Sequence, residues 1–162
     1  MKRRVVITGL GVVTSLGLEV ETLWRRILAG ESGVGPLTQF DTTAFKVHFG
    51  GEIPNWAPED LLGSKEVKRL ARFSQFAMVA AISAVKDSGL DFKQEDSFRC
   101  GVVLGSGIGG LNEIEEQHGR LVRSGPDRVS PFTIPKLMVN AASGHVSIEY
   151  GLRGVNYAVA TA

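Results

Sequence analysis

The ten residues from Phe76 to Val85 read FAMVAAISAV and are apolar on nearly every face of a helix. A helix that is apolar all round needs cover on every side, so it belongs inside a layered structure. The neighbouring segments suggest what the layers are. "RRVVITG", "FRCGVVLGSG" and, near the end, "VNYAVAT" are short apolar runs rich in β-branched residues, the pattern of buried strands. Stretches with helical spacing separate them. Strands alternating with helices predict an α/β fold with a mainly parallel sheet. With 162 residues, 43% hydrophobic and 22% charged, the chain is long enough to bury a core as one domain over 1–162.

Element boundaries follow from periodicity and punctuation. Val20, Leu23, Trp24, Ile27 and Leu28 repeat at helical spacing, and Gly30 is a natural stop. Residues 31–63 are rich in loops, with Pro36, Pro54 and Pro58, and have room for a short strand around "KVHFGGEI". Ser64 is a good N-cap for one long helix. That helix begins with the basic "KEVKRLAR", continues through the apolar run and ends at Gly89. "LNEIEEQHGRLVRSG" reads as an exposed, charged helix and "PDRVSPFTIP" as a proline-rich loop. "KLMVNAASGHVSIEYG" reads as a further helix. Its small residues Ala141, Ala142, Ser143 and Gly144 let a neighbouring backbone come close, and Gly151 ends it. There is no internal repeat, low-complexity tract or domain linker.

Several function classes are disfavoured at this level. A net charge of +1 gives the whole chain no pull on nucleic acid, so only a local patch can attract a polyanion. The basic start followed by apolar residues is interrupted by Thr8, Gly9, Gly11, Thr14 and Ser15 and has no A-x-A site, which fits a first buried strand rather than a signal peptide. No run reaches the roughly 18 apolar residues of a membrane span. Cys100 is the single cysteine, so no internal disulfide forms and a reducing, cytoplasmic setting is expected. Cys100 itself reads as an inert residue of a strand core. His48, His118 and His145 lack zinc-ligand spacing, so no metal is assigned.

Three motifs remain. Gly9 and Gly11 begin a G-x-G-x-x-G pattern, but Thr14 stands where the third glycine belongs, which favours a tight connection over a dinucleotide site. "GSGIGG", Gly105 to Gly110, follows a strand and precedes a helix. Its amides suit an anion or a substrate channel, yet it lacks the Gly-Lys-Ser/Thr ending of a P-loop. Ile108, bulky among glycines, is a candidate wall for an apolar pocket. Lys65, Lys68, Arg69 and Arg72 share one helix face, with Glu66 on another. That pattern suits either a solvated helix surface or a patch for an acidic partner.

Taken in order, "RRVVITGLGVVTSLG", "LAGESGV", "FDTTAF", "VVLGSGIGG", "SPFTIPKLMVNAASGHVSIEYGLRG" and the final "VATA" resemble the N-terminal part of β-ketoacyl-[acyl-carrier-protein] synthases, in particular the KAS II type. The resemblance runs from Arg3 to Ala162. It implies the N-terminal half of a thiolase-like fold, layered αβαβα in the full enzyme, and a homodimer. It implies no organic cofactor. The implied reaction is elongation of an acyl chain by decarboxylative condensation of an acyl-enzyme with malonyl-acyl carrier protein in fatty acid biosynthesis. In that family the strand ending in "TA" delivers a nucleophilic cysteine at the start of a buried helix, where a helix N-terminus and a histidine favour the thiolate. The nucleophile is therefore expected directly after Ala162 and both catalytic histidines in the family's C-terminal half. No catalytic residue is expected within these 162 residues. His48, His118 and His145 do not replace the missing histidines, so the chain alone is expected to be inactive.

Other family roles match positions within the chain. Ile108 matches the residue walling the acyl pocket. Phe132 and Thr133 match a loop near the pocket and dimer interface, where many relatives have a second aromatic instead of Thr133. Lys65, Lys68 and Arg69 match the patch that docks the acidic acyl carrier protein, and Arg128 matches a further basic position. Asp127 departs from the basic residue often found there. The terminal strand matches the one that pairs across the dimer two-fold. Left without its partner layers, the chain is expected to aggregate or to be marginally folded. The rival readings are a polyketide-type ketosynthase or chain-length factor, a dinucleotide-binding oxidoreductase, and a non-catalytic carrier-binding module.

Overall fold

Residues 3–161 are described by a computed structural model. They fall into two units, each with its own internal packing.

The first unit holds the residues up to Ala57 together with Val79–Gly89. Its opening segment forms no helix and pairs with no strand among the described residues. Val5 and Ile7 stand 94% and 83% exposed, which corrects the expected buried first strand. The segment packs instead against a helix. A Cβ on Gly9 would lie 2.1 Å from the Ala84 carbonyl oxygen, and one on Gly11 2.0 Å from that of Ala80. Only glycine permits that approach, and the Leu10 amide then donates to Asp87 Oδ2 at 2.8 Å. Close helix packing therefore accounts for both glycines of the partial dinucleotide motif. A tight turn follows, with Thr14 and Gly17 exchanging backbone hydrogen bonds of 3.0 and 3.2 Å. It leads into α1 (Val20–Leu28), which ends before Gly30. Strands β1 (Gly35–Pro36) and β2 (Phe49–Gly50) form a small antiparallel pair, the second lying within the expected "KVHFGGEI".

The second unit holds Pro58–Met78 and the residues from Leu90 onward. The single long helix expected from Ser64 is divided into two. After α2 (Glu59–Leu62), α3 spans only Ser64–Arg69, and α4 runs Arg72–Ser88, passing from the second unit into the first. Gly63, not Ser64, occupies the cap of α3, and no side chain bonds there. The break falls at Leu70, whose backbone is extended. It is stabilised by Gln75, whose amide donates to the carbonyls of Val67 and Leu70, both at 3.0 Å. Those carbonyls are the orphan acceptors that a helix end must satisfy. The apolar run is also less enclosed than expected. Met78 and Val79 are buried, but Ala80 to Val85 are half-buried.

Strand β3 (Val102–Gly105) pairs in parallel with β4 (Asn156–Val159), from Val102 opposite Asn156 to Gly105 opposite Val159. Between them in sequence come α5 (Leu111–Ser124), α6 (Thr133–Leu137) and α7 (Ala141–Tyr150). The "PDRVSPFTIP" stretch is thus partly helical, with a 3₁₀ turn at Pro126–Arg128 and the start of α6. Helix α7 buries Ala141, Ala142 and Ser143 and packs on the sheet, as its small residues predict. Asn156 ties the two together, its amide donating to the Ser143 carbonyl at 3.2 Å and to Ser147 Oγ at 2.7 Å. Strand side chains alternate between faces, so one helix covers only one face. Val103 and Tyr157, on the other face, stand 67% and 64% exposed. This corrects the expectation that both runs are buried strands. Cys100 lies half-buried just before β3 rather than in a strand core.

Candidate functional site

The basic patch depends on the helix break. Lys65, Lys68 and Arg69 lie on α3, while Arg72 starts α4 with its guanidinium 5.1 Å above the Phe76 ring. The expected face of four cations is therefore three, because the extended Leu70 resets the helical phase between Arg69 and Arg72. Glu66 is closer to the patch than its spacing suggested and pairs with Arg69 at 3.1 Å. That pair is largely exposed and contributes little. Among the described residues, Lys65 and Lys68 enter no ion pair.

These cations edge a groove of about 630 Å³ whose far side comes from the end of the segment between α5 and α6 and from α6 itself. Ser130, Phe132 and Lys136 line that side. Phe132 is exposed and lines the groove. Thr133 is half-buried, and its hydroxyl turns back to the Ser130 carbonyl at 2.6 Å. Arg128, exposed on the 3₁₀ turn, does not line the groove.

Ile108 is exposed on the glycine loop ahead of α5. Backbone contact fastens the base of that loop to α6, since the Gly110 amide donates to the Leu137 carbonyl at 3.0 Å. A Cβ on Gly109 would meet that carbonyl oxygen at 2.6 Å, and one on Gly110 would meet Leu137 Cα at 2.8 Å. The last two glycines of "GSGIGG" thus serve a close backbone crossing. They tie the loop carrying Ile108 to the helix that starts at Thr133.

A polar cluster joins Lys136 of the groove to α5. Helix α5, read as exposed throughout, buries Glu113 and Gln117. Gln117 donates to Glu113 Oε1 at 3.1 Å and accepts from the Ser130 amide at 2.9 Å. Lys136 Nζ reaches Glu113 Oε2 at 3.5 Å. The apolar residues Leu111, Ile114, Leu121 and Val122 of the same helix are exposed. The i, i+4 spacing of Glu113 and Gln117 was the available signal, but the apolar stripe was the one that normally marks the buried face.

No histidine lines the groove. His48 and His118 are exposed. His145 is half-buried, and burial holds its imidazole below the usual value, opposed by the charge of Glu66. Among the described residues, no group of three His, Cys, Asp or Glu side chains could hold a metal ion. No helix among them is long and apolar enough to cross a membrane.

The family model described as "Beta-ketoacyl synthase, N-terminal domain" matches residues 2–162. The chain belongs to the beta-ketoacyl synthase family. Its relatives include the 3-oxoacyl-[acyl-carrier-protein] synthase 2 of Coxiella burnetii, 47% identical over 99% of this chain and 39% of the relative. The synthase 2 of Vibrio cholerae is 44% identical over the same shares. The chain thus spans about 39% of the length of these beta-ketoacyl synthases. Among solved structures, the ishigamide ketosynthase/chain length factor superposes with a TM-score of 0.85 at 27% identity, covering 99% of this chain and 40% of that one. A beta-ketoacyl synthase from Burkholderia phymatum gives 0.74 at 26%, with the same coverage. A type II polyketide ketosynthase in complex with its acyl-carrier protein gives 0.71 at 22% identity, a likeness of fold alone, over 95% of this chain and 41% of that one. The α/β class and the thiolase-like ketosynthase fold expected from the sequence are those of these neighbours.

Proposed function

We propose that the chain is the N-terminal part of a KAS II-type β-ketoacyl-acyl carrier protein synthase, acting in the cytoplasm as a homodimer in fatty acid biosynthesis. In the proposed reaction an acyl group is held as a thioester on a cysteine expected directly after Ala162, a residue that itself lies outside the described ones. Malonyl-acyl carrier protein loses carbon dioxide, and the resulting carbanion attacks the acyl carbonyl. The new carbon–carbon bond forms as the carbon–sulfur bond to the enzyme breaks, which returns the thiolate. The residues present here serve binding. Lys65, Lys68 and Arg69 dock the acidic carrier protein, with Arg128 as a more distant contact. Ile108, Phe132 and Thr133 wall the acyl chain.

The observation that carries this reading is the groove itself, where Lys65, Lys68 and Arg69 face an exposed Phe132. A cationic rim beside an apolar contact suits an acidic protein delivering an acyl chain. The test is a titration of the full-length protein with holo-acyl carrier protein at several salt concentrations. Charge reversal of Lys65, Lys68 and Arg69 together is expected to weaken binding about tenfold or more and to flatten its salt dependence. Unchanged binding in that variant would refute the docking assignment.

A polyketide-type ketosynthase or chain-length factor is the second reading, favoured by the TM-score of 0.85 to the ishigamide protein. Mass spectrometry after incubation with an acyl donor separates the alternatives. An acyl thioester on a cysteine beyond Ala162 supports a condensing enzyme, and its absence supports a chain-length factor. Product analysis then distinguishes a singly extended fatty acyl chain from a polyketide.

A further inference from the structure

Lys136 has an unusual position in the groove. It is the one lining cation that α3 does not supply, and it stands across from Lys65, Lys68 and Arg69 on the wall that also carries Phe132. Its side chain is 19% exposed and that of Glu113 9%, with 3.5 Å between Nζ and Oε2. That separation is long for a charge-assisted hydrogen bond. An ammonium has three N–H donors, and Lys136 has a single carboxylate partner among the described residues.

Glu113 does not depend on Lys136 alone. It lies in the first turn of α5, where unpaired amides and the helix dipole favour a carboxylate. Gln117 also donates to it at 3.1 Å. A buried charge that loses its only partner is costly, but here two other sources of stabilisation remain if Lys136 turns away. The lysine stem is long and flexible, and Lys136 already lines the groove.

We propose that Lys136 is a further docking cation of the groove, held in reserve by Glu113 and released to an acidic group of the bound carrier protein. This rests on the docking role proposed for Lys65, Lys68 and Arg69 and extends it to the opposite wall. An acidic partner would then be held from both walls of the groove, which fixes its orientation as well as its affinity.

The sign of the mutational effects tests the idea. In titrations of the full-length protein with holo-acyl carrier protein, Lys136→Met is expected to weaken binding roughly three- to tenfold, within the usual range for a partly buried charge contact. Lys136→Arg should restore it. Glu113→Gln keeps the acceptor for Gln117 while removing the charge that holds Lys136, so binding should be unchanged or tighter. If Lys136 only fastens α6 to α5, Lys136→Met and Glu113→Gln weaken binding alike, and the proposal falls. It also falls if Lys136→Met leaves binding unchanged while charge reversal on α3 weakens it, an outcome that spares the docking reading. Binding insensitive to charge reversal on α3 would remove both.

Discussion

Ser74 is fully buried in α4, and its hydroxyl has no hydrogen-bond partner among the described residues. An orphaned hydroxyl in the interior loses its water contacts and gains nothing in exchange. Ser74→Ala is therefore expected to stabilise the protein by about 1 kcal/mol, read as a higher denaturant midpoint at unchanged slope. Destabilisation would show that the hydroxyl has a partner in solution. Nothing in the spacing around Ser74 points to this, because serine is common in helices and its environment depends on long-range packing. Residue identity carried more information elsewhere. Gly9, Gly11, Gly109 and Gly110 stand where a Cβ would collide with backbone, and each had been marked by its place in a glycine pattern. The pattern was legible, but the helix or crossing that demands it was not.

At the scale of elements, the clearest failure of periodicity is the division of α3 from α4. Neither proline nor glycine interrupts "KRLARFSQ", so local propensity favours an unbroken helix. The break exists because a tertiary arrangement rewards it, burying Leu70 and Ala71 while Gln75 closes the end of α3. Gln75→Leu preserves volume and apolar packing but leaves the carbonyls of Val67 and Leu70 without that donor. The expected cost is about 1–2 kcal/mol, together with faster amide hydrogen exchange in α3. Equal stability and exchange would mean that Leu70 stays extended without the amide. Helix α5 is the converse case. Its limits were legible from Gly110 and Gly125, yet its buried side is polar and its apolar side exposed. The cluster of Glu113, Gln117 and Lys136 joins residues more than twenty positions apart, a pairing that no local rule detects. By contrast, the stop at Gly151 is legible in the sequence, and its φ of 65° lies in the left-handed region.

At the scale of the whole molecule, the α/β class was legible because strands and helices alternate in type and length. The extent of cover was not, since periodicity reports which face is apolar and not whether anything lies against it. Parallel sheets normally have both faces covered. Here α7 covers one face of β3 and β4, and Val103, Tyr157 and Val159 remain exposed on the other. In the first unit Val5, Val6 and Ile7 are exposed as well. Exposed apolar groups of this kind mark surfaces that associate. The chain of 162 residues is therefore expected to self-associate in a concentration-dependent way and to enhance the fluorescence of a hydrophobic dye. Light scattering and dye titration measure the two effects. If the open sheet face is responsible, Val103→Thr combined with Tyr157→Thr should lower both signals while the far-ultraviolet circular dichroism stays the same. Threonine, like the valine and tyrosine it replaces, is well accommodated in strands, so the change tests apolar exposure rather than strand formation. A monodisperse, dye-silent wild-type chain would show that these side chains are covered in solution by a rearrangement of the chain itself.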